Sequence, residues 1–180
     1  ALILFNDKTS ITVGKNSTLV VSKYVFTTTA KSNNKATFGF GTGIFRTITG
    51  KIGKLNPKGF KIKTSTATIG IRGSDGTTIV KANGDVKHIT NSGGFILTNN
   101  TTGQTIDIAK GSTGSLSKAD GLFVAKTTPK DLKDSSELSD ENQDFKQKEE
   151  KSEEEGKPEE KEETQADKKE KPAEEKNKKW

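Results

Sequence analysis

Across residues 41–80 the apolar positions keep a two-residue period and change phase once. Phe60 and Ile62 alternate with Lys61 and Lys63, after which Ala67, Ile69 and Ile71 fall on odd positions. A period of two marks a strand with one buried face. A slip of one residue turns every later side chain to the opposite face, so it predicts a bulge or bend at Ser65-Thr66. Asn56-Pro57-Lys58-Gly59 reads as a turn between two extended segments, with proline fixing φ and glycine permitting the left-handed region. Gly70 and Gly73 bracket Ile71-Arg72, which predicts a kinked or closely approached backbone there. A chain with this stretch at its centre is constrained to be a sheet protein.

The flanking segments follow the same habit. Leu2 to Phe5 is apolar on both parities, predicting a first strand buried on both faces. Ile11 with Val13, Leu19 running toward Tyr24 and Phe26, and Phe38 with Phe40 each read as strands, and Thr27 to Lys35 as a polar loop. Ile44, Ile48 and Ile52 recur every four residues, as on a short helix, but the threonines between them and Gly50 favour a strand. Further strands are expected at Ile79-Val80, Val86–Ile89, Phe95–Leu97, Ile106–Ile108 and Leu122–Val124. Turn signals separate them at Asn83-Gly84-Asp85, Ser92-Gly93-Gly94, Asn99–Gly103 and Lys110-Gly111. Residues 86–108 read as a meander. The fold class expected is all-β, a sandwich or irregular stack of short antiparallel strands, with no strict repeat to make a regular solenoid.

Two phrases carry a resemblance. F-x-I-x-T-x-x-A-x-I-G-I-R-G sets Phe60, Ile62, Thr64, Ala67, Ile69, Ile71, Arg72 and Gly73 in the places of the pattern that typifies the core of a FecR domain. Upstream, L-F-N-D-K-T-S-I-T-V-G-K-N-S-T-L-V-V over residues 4–21 is similar to that family's L-x-D-G-S-x-I-x-L-x-x-N-S-x-L. One departure is Ser74-Asp75-Gly76, where the family more often has Thr, any residue, then Phe. The resemblance covers residues 1–82 and implies an exported bacterial β module without catalytic activity. In the best-known members it implies relay: a periplasmic domain takes a message from an outer-membrane receptor and passes it through a membrane helix to a sigma factor. The expected organisation is a FecR-like β domain at 1–82 with a trimmed N-terminus, a continuing β meander at 83–127, and a Lys/Glu-rich tail at 128–180. A periplasmic or cell-surface location is expected, with any signal peptide lying upstream.

Charge divides the chain. Residues 1–128 hold 17 Lys and Arg against 5 Asp and Glu, a net of +12; residues 129–180 hold 13 against 19, a net of −6. The second part is Glu- and Lys-dominated, interrupted by proline, and reads as disordered, with transient helix over 142–155. Leu132, Leu138 and Phe145 are too sparse for a buried stripe, and Trp180 is assigned no role. No apolar run approaches the ~18 residues of a membrane span.

Reactive groups are scarce. There is no cysteine and a single histidine, His88. A triad of serine, His88 and Asp85 or Asp107 would need a nucleophile elbow of the G-x-S-x-G type, which is absent, and His88 is expected on a surface strand. Asn83-Gly84-Asp85 is too short for a calcium loop, and the glycines at 70, 73 and 76 lead into no Lys-Ser phosphate cradle. No enzyme, metal or cofactor is therefore expected, and no small-molecule substrate. What remains is a basic surface. Lys51, Lys54, Lys58, Lys61 and Lys63 cluster in one expected hairpin, with Arg72 nearby, and could meet a polyanion or a protein partner. The plainer reading is a solvated basic face that keeps a β edge from aggregating. Phe60, Ile62, Thr64, Ala67, Ile69, Gly70, Ile71 and Gly73 are expected to be architectural. The partner expected is an envelope or outer-membrane protein. A structural or adhesin segment of a larger surface protein is the alternative, and a nucleic-acid binder is less favoured because few aromatics interleave with the lysines.

Overall fold

A computed structural model describes residues 1–71 and 73–136. The expectations placed on Arg72, on helix over 142–155, on Leu138, Phe145 and Trp180, and on disorder past residue 136 lie outside the described residues. Among the described residues thirteen strands form two sheets. The first holds, in spatial order, β1 (Leu2–Leu4), β2 (Ser10–Val13), β5 (Gly43–Ile48), β8 (Asp75–Val80), β9 (Val86–Ser92), β12 (Ser112–Ser117) and β13 (Gly121–Lys126). The second holds β11 (Thr105–Ala109), β10 (Gly94–Asn99), β7 (Ala67–Ile71), β6 (Phe60–Lys63), β4 (Lys35–Phe40) and β3 (Leu19–Val25). The all-β sandwich is therefore the fold, with antiparallel neighbours except for β4 and β6, which run parallel.

The core fills the space between the sheets. Phe38 and Phe60 of one sheet and Phe45 of the other are fully buried beside Ile11, Ile62 and Ile69. Phe40 and Phe45 stack across the gap with centroids 4.1 Å apart. Each such side chain removed from water contributes ~1.5–3 kcal/mol, which is why the two-residue period of Phe60, Ile62, Ala67, Ile69 and Ile71 decides the fold.

The phase change has a simpler cause than a bulge. β6 and β7 form a hairpin in which Ile62 lies opposite Ile69 and Lys63 opposite Thr68. Even positions of one strand thus face odd positions of the other, and both apolar sets point into the core. Thr64 closes the turn: its amide donates to the Ala67 carbonyl at 2.8 Å, and its hydroxyl accepts the Ala67 amide at 2.9 Å.

Several sequence expectations are corrected. Residues 51–55 form a short helix, α1 (Lys51–Leu55), so the turn at Pro57–Gly59 joins a helix to β6 and the five lysines do not share a hairpin. Residues 86–108 are not a meander, because β9 belongs to the first sheet and β10 and β11 to the second. β12 has no counterpart among the expected strands. β1 is an edge strand with Leu4 52% exposed, not a strand buried on both faces. A second helix, α2 (Pro129–Ser136), occupies the start of the stretch read as tail. β8 pairs antiparallel with β9 in the first sheet.

The chain changes sheet between β7 and β8 and again between β9 and β10, and the two crossings are tied together. Gly73 turns the first with φ +69°, the region that only glycine enters freely. Ser74 then donates its hydroxyl to the Gly94 carbonyl at 2.6 Å and accepts the Gly94 amide at 2.9 Å. Thr49 holds the same residue from the other side, accepting the Ser74 amide at 2.7 Å. The departure from the family phrase at Ser74 is thus the residue that staples the crossings.

Candidate binding surface

The outward face of the six-stranded sheet is where the basic cluster lies. Strand pairing sets its side chains in rows. One row runs Asp107, Ile96, Gly70, Lys61, Thr37, Lys23; the next runs Thr105, Thr98, Thr68, Lys63, Gly39, Val20. Neither row holds an aromatic ring. Over β7 the floor is Thr68 and Gly70, and a Cβ added at Gly70 would meet only Ile96, at an ordinary 3.9 Å. The floor is low because its residues are small. On one side Lys61 and Lys63 of β6 stand up from it; on the other stand Ile96 and Thr98 of β10.

α1 and the turn after it close one end. Leu55, Asn56, Pro57 and Lys58 border the same depression, a groove of about 960 Å³ whose inner end reaches Phe60 and Ile71. Their position follows from an anchor on the far side of α1. Buried Asp7 accepts the Ile52 amide and the Thr9 hydroxyl on Oδ2, at 3.1 and 2.7 Å, and the Tyr24 hydroxyl on Oδ1 at 3.0 Å. Its carbonyl accepts the Lys51 amide at 2.7 Å. Burial pushes the Tyr24 phenol up to about 12, with the Asp7 carboxylate adding to the rise. Asn56 fixes the turn by donating to the carbonyls of Ser32 and Asn34.

Lys51, Lys54, Lys58, Lys61 and Lys63 are all exposed. None of the five has a carboxylate partner among the described residues, whereas Arg46 pairs with Asp75 at 2.9 Å and Lys87 with Asp131 at 2.7 Å elsewhere. Lys58 and Lys61 border the groove and Lys63 stands beside it on the same face; Lys51 and Lys54 extend the positive charge along α1. Phe60, Ile62, Ala67, Ile69 and Ile71 are buried in the core, Thr64 closes a turn, and Gly73 turns the crossing. Sequence reasoning missed Leu55, Ile96, Thr68 and Thr98. The outward alternation of Ile96 and Thr98 with Phe95 and Leu97, and of Thr68 with Ala67 and Ile69, was a legible signal; Leu55 on α1 gave none, and that the four come together depends on the fold.

His88 is not on the surface. It is fully buried between the sheets, its ring centroid 4.0 Å from that of Phe95, with Nδ1 2.9 Å from the Thr78 hydroxyl. Its Nε2 has no hydrogen-bond partner among the described residues. Gly76 makes the room, since a Cβ there would lie 2.6 Å from Nε2. Burial pushes the imidazole down to about 3, against a weaker upward pull from Asp75. No group of three or more His, Cys, Asp or Glu that could hold a metal occurs among the described residues, and no described helix is long and apolar enough to cross a membrane.

Two crystal structures of a Parabacteroides distasonis ATCC 8503 protein, provisionally described as an anti-sigma factor, share this fold. Each superposes with a TM-score of 0.54 at 10% identity, covering 74% of this chain and 58% of that one. The chain therefore spans little more than half the length of the solved structures it matches, and at this identity the likeness is one of fold. No curated protein matches the sequence. The family model described as FecR protein matches residues 1–94, more than half of the chain and both phrases singled out above. The chain belongs to the FecR family.

Proposed function

We propose that this protein is a non-enzymatic cell-envelope module that receives a protein partner on the outer face of its six-stranded sheet and serves signal relay or scaffolding. The observation that carries the reading is the open groove flanked by lysines with no carboxylate partner among the described residues, on a FecR-family domain. A solvated basic face needs no groove beside it, and an apolar hollow of this size left open at a surface is a common mark of a binding site. The family and the fold likeness to a protein described as an anti-sigma factor support relay over catalysis. A periplasmic or surface location is part of the same reading. Within this proposal Lys51, Lys54, Lys58, Lys61, Lys63 and Arg72 are contact residues, and the surrounding motif residues hold the surface in place.

The test is photo-crosslinking in cells from a probe residue placed at Lys61, with a second probe at Lys118 in the turn between β12 and β13 of the opposite sheet. Capture of one envelope protein from position 61 and not from 118 is expected. Equal capture from both positions, or recovery of nucleic acid alone, would remove the reading.

A further inference from the structure

Resting on that reading, we infer that the partner presents an extended acidic strand in which carboxylates alternate with apolar side chains. It lies along β7 on the groove floor. The geometry of the outer face selects this chemistry. Lys61 and Lys63 are two residues apart on one strand, so their side chains rise ~6.8 Å from each other. That is the repeat of alternate side chains in any extended peptide. The floor beneath is Thr68 and Gly70, low enough to admit a backbone. The walls are unlike: lysines on the β6 side, and Ile96 with Thr98 on the β10 side. They stand two strand spacings apart, ~9.6 Å, which leaves room for one extended chain lying edgewise between them.

A chain in that position directs odd side chains to one wall and even side chains to the other. Carboxylates on one parity meet Lys61 and Lys63, apolar groups on the other parity meet Ile96, and Leu55 and Pro57 close the end of the groove. Charge complementarity sets the sign: the lysines around the groove lack carboxylate partners among the described residues. The absence of any aromatic ring from the two central rows disfavours a nucleic acid, whose bases need stacking surfaces.

The experiment measures fluorescence anisotropy of a fluorescein-labelled octapeptide of four Glu-Leu repeats against the full chain at ~0.15 M salt. A block peptide of the same composition, four Glu followed by four Leu, serves as comparison. The alternating peptide is expected to bind at least roughly tenfold more tightly than the block peptide. K61E/K63E should weaken it by roughly tenfold or more, and Gly70→Leu, which raises the floor, by a similar factor. K81E/K118E, reversing two exposed lysines in turns of the other sheet, should leave the preference for the alternating peptide intact. Equal binding of the two peptides would reduce the site to charge alone and overturn the inference. So would full displacement by a single-stranded decanucleotide at equal concentration, or by a peptide of residues 137–180, which would make the occupant the chain's own acidic segment. The two readings fail separately. If the probe at position 61 captures one envelope protein in cells while the peptide never binds, the partner surface stands and the alternating acidic strand falls.

Discussion

His88 is held neutral by its surroundings, and this has a consequence for stability. Its imidazole lies against Phe95 and Gly76 with one nitrogen unpartnered among the described residues, and burial lowers it from 6.5 to about 3. The unfolded chain therefore takes up a proton on this residue between those values while the folded chain does not. Stability from this source is full above pH 6.5 and falls as pH drops toward 3. Linkage gives a loss of about 2–3 kcal/mol between pH 7.5 and 4.5. Urea melts across that range should show the decline, and H88F, which keeps a ring in the slot, should flatten it. A pH-independent midpoint in the parent would refute the assignment. Asp7 acts at the same scale. Its carboxylate and carbonyl satisfy amides of α1 and its neighbours, so Asp7→Ala leaves several buried donors without partners. It should cost ~2–4 kcal/mol in chemical denaturation, against ~1 kcal/mol for Tyr24→Phe, which removes only one hydroxyl. Of these two residues the sequence marked Asp7 as part of a phrase and His88 as a surface residue. The lone histidine was misplaced because Val86-Lys87-His88-Ile89 carries apolar groups on both parities. Ile89 on the outward face is as buried as His88 on the inward one.

At the scale of elements, the period-two segments were legible and the junctions between them were not. Phe60 to Ile71 announced strands, but the same slip in parity describes a bulge or a hairpin. Only the pairing of Ile62 with Ile69 decides between them. Ile44, Ile48 and Ile52 gave a four-residue recurrence that proved half strand and half helix: Ile48 ends β5 and Ile52 sits buried inside α1. α2 was hidden for a different reason. Its anchor is polar, so no apolar stripe marked it. Burial alone would raise the Asp131 carboxyl. The Lys87 ammonium at 2.7 Å and the Thr128 amide and hydroxyl, at 2.9 and 2.8 Å, outweigh it and hold the group at about 2. Because the folded value lies below the ordinary 3.8, the stabilisation is complete above that pH and is lost as pH falls through about 2. Asp131→Asn should leave the β sheets intact while amides of residues 128–136 exchange at least roughly tenfold faster at pH 7. Unchanged protection in that segment would mean the helix is held by other contacts.

The molecule as a whole sets a strongly positive body of +12 over residues 1–128 against a following stretch of −6. This asymmetry acts over distances that the groove does not. The long-range field gathers an acidic ligand, whereas the two walls over β7 hold it once it has arrived. The two effects separate kinetically. In stopped-flow binding of the alternating Glu-Leu peptide, raising salt from about 0.02 to 0.2 M should slow association by roughly tenfold and alter dissociation by less than about twofold. K81E/K118E lies in turns of the other sheet and still subtracts four charges from the field, so it should slow association without touching dissociation. K61E/K63E removes the same charge from the wall itself and should raise both the barrier to arrival and the rate of escape. The outward face was readable in the sequence as a run of lysines; its unlike walls were not, because Ile96 and Lys61 come together only through the shared neighbour Gly70. If salt and both variants acted on dissociation alone, the basic body would have no role in capture. The charge division would then concern solubility, with recognition left to the groove.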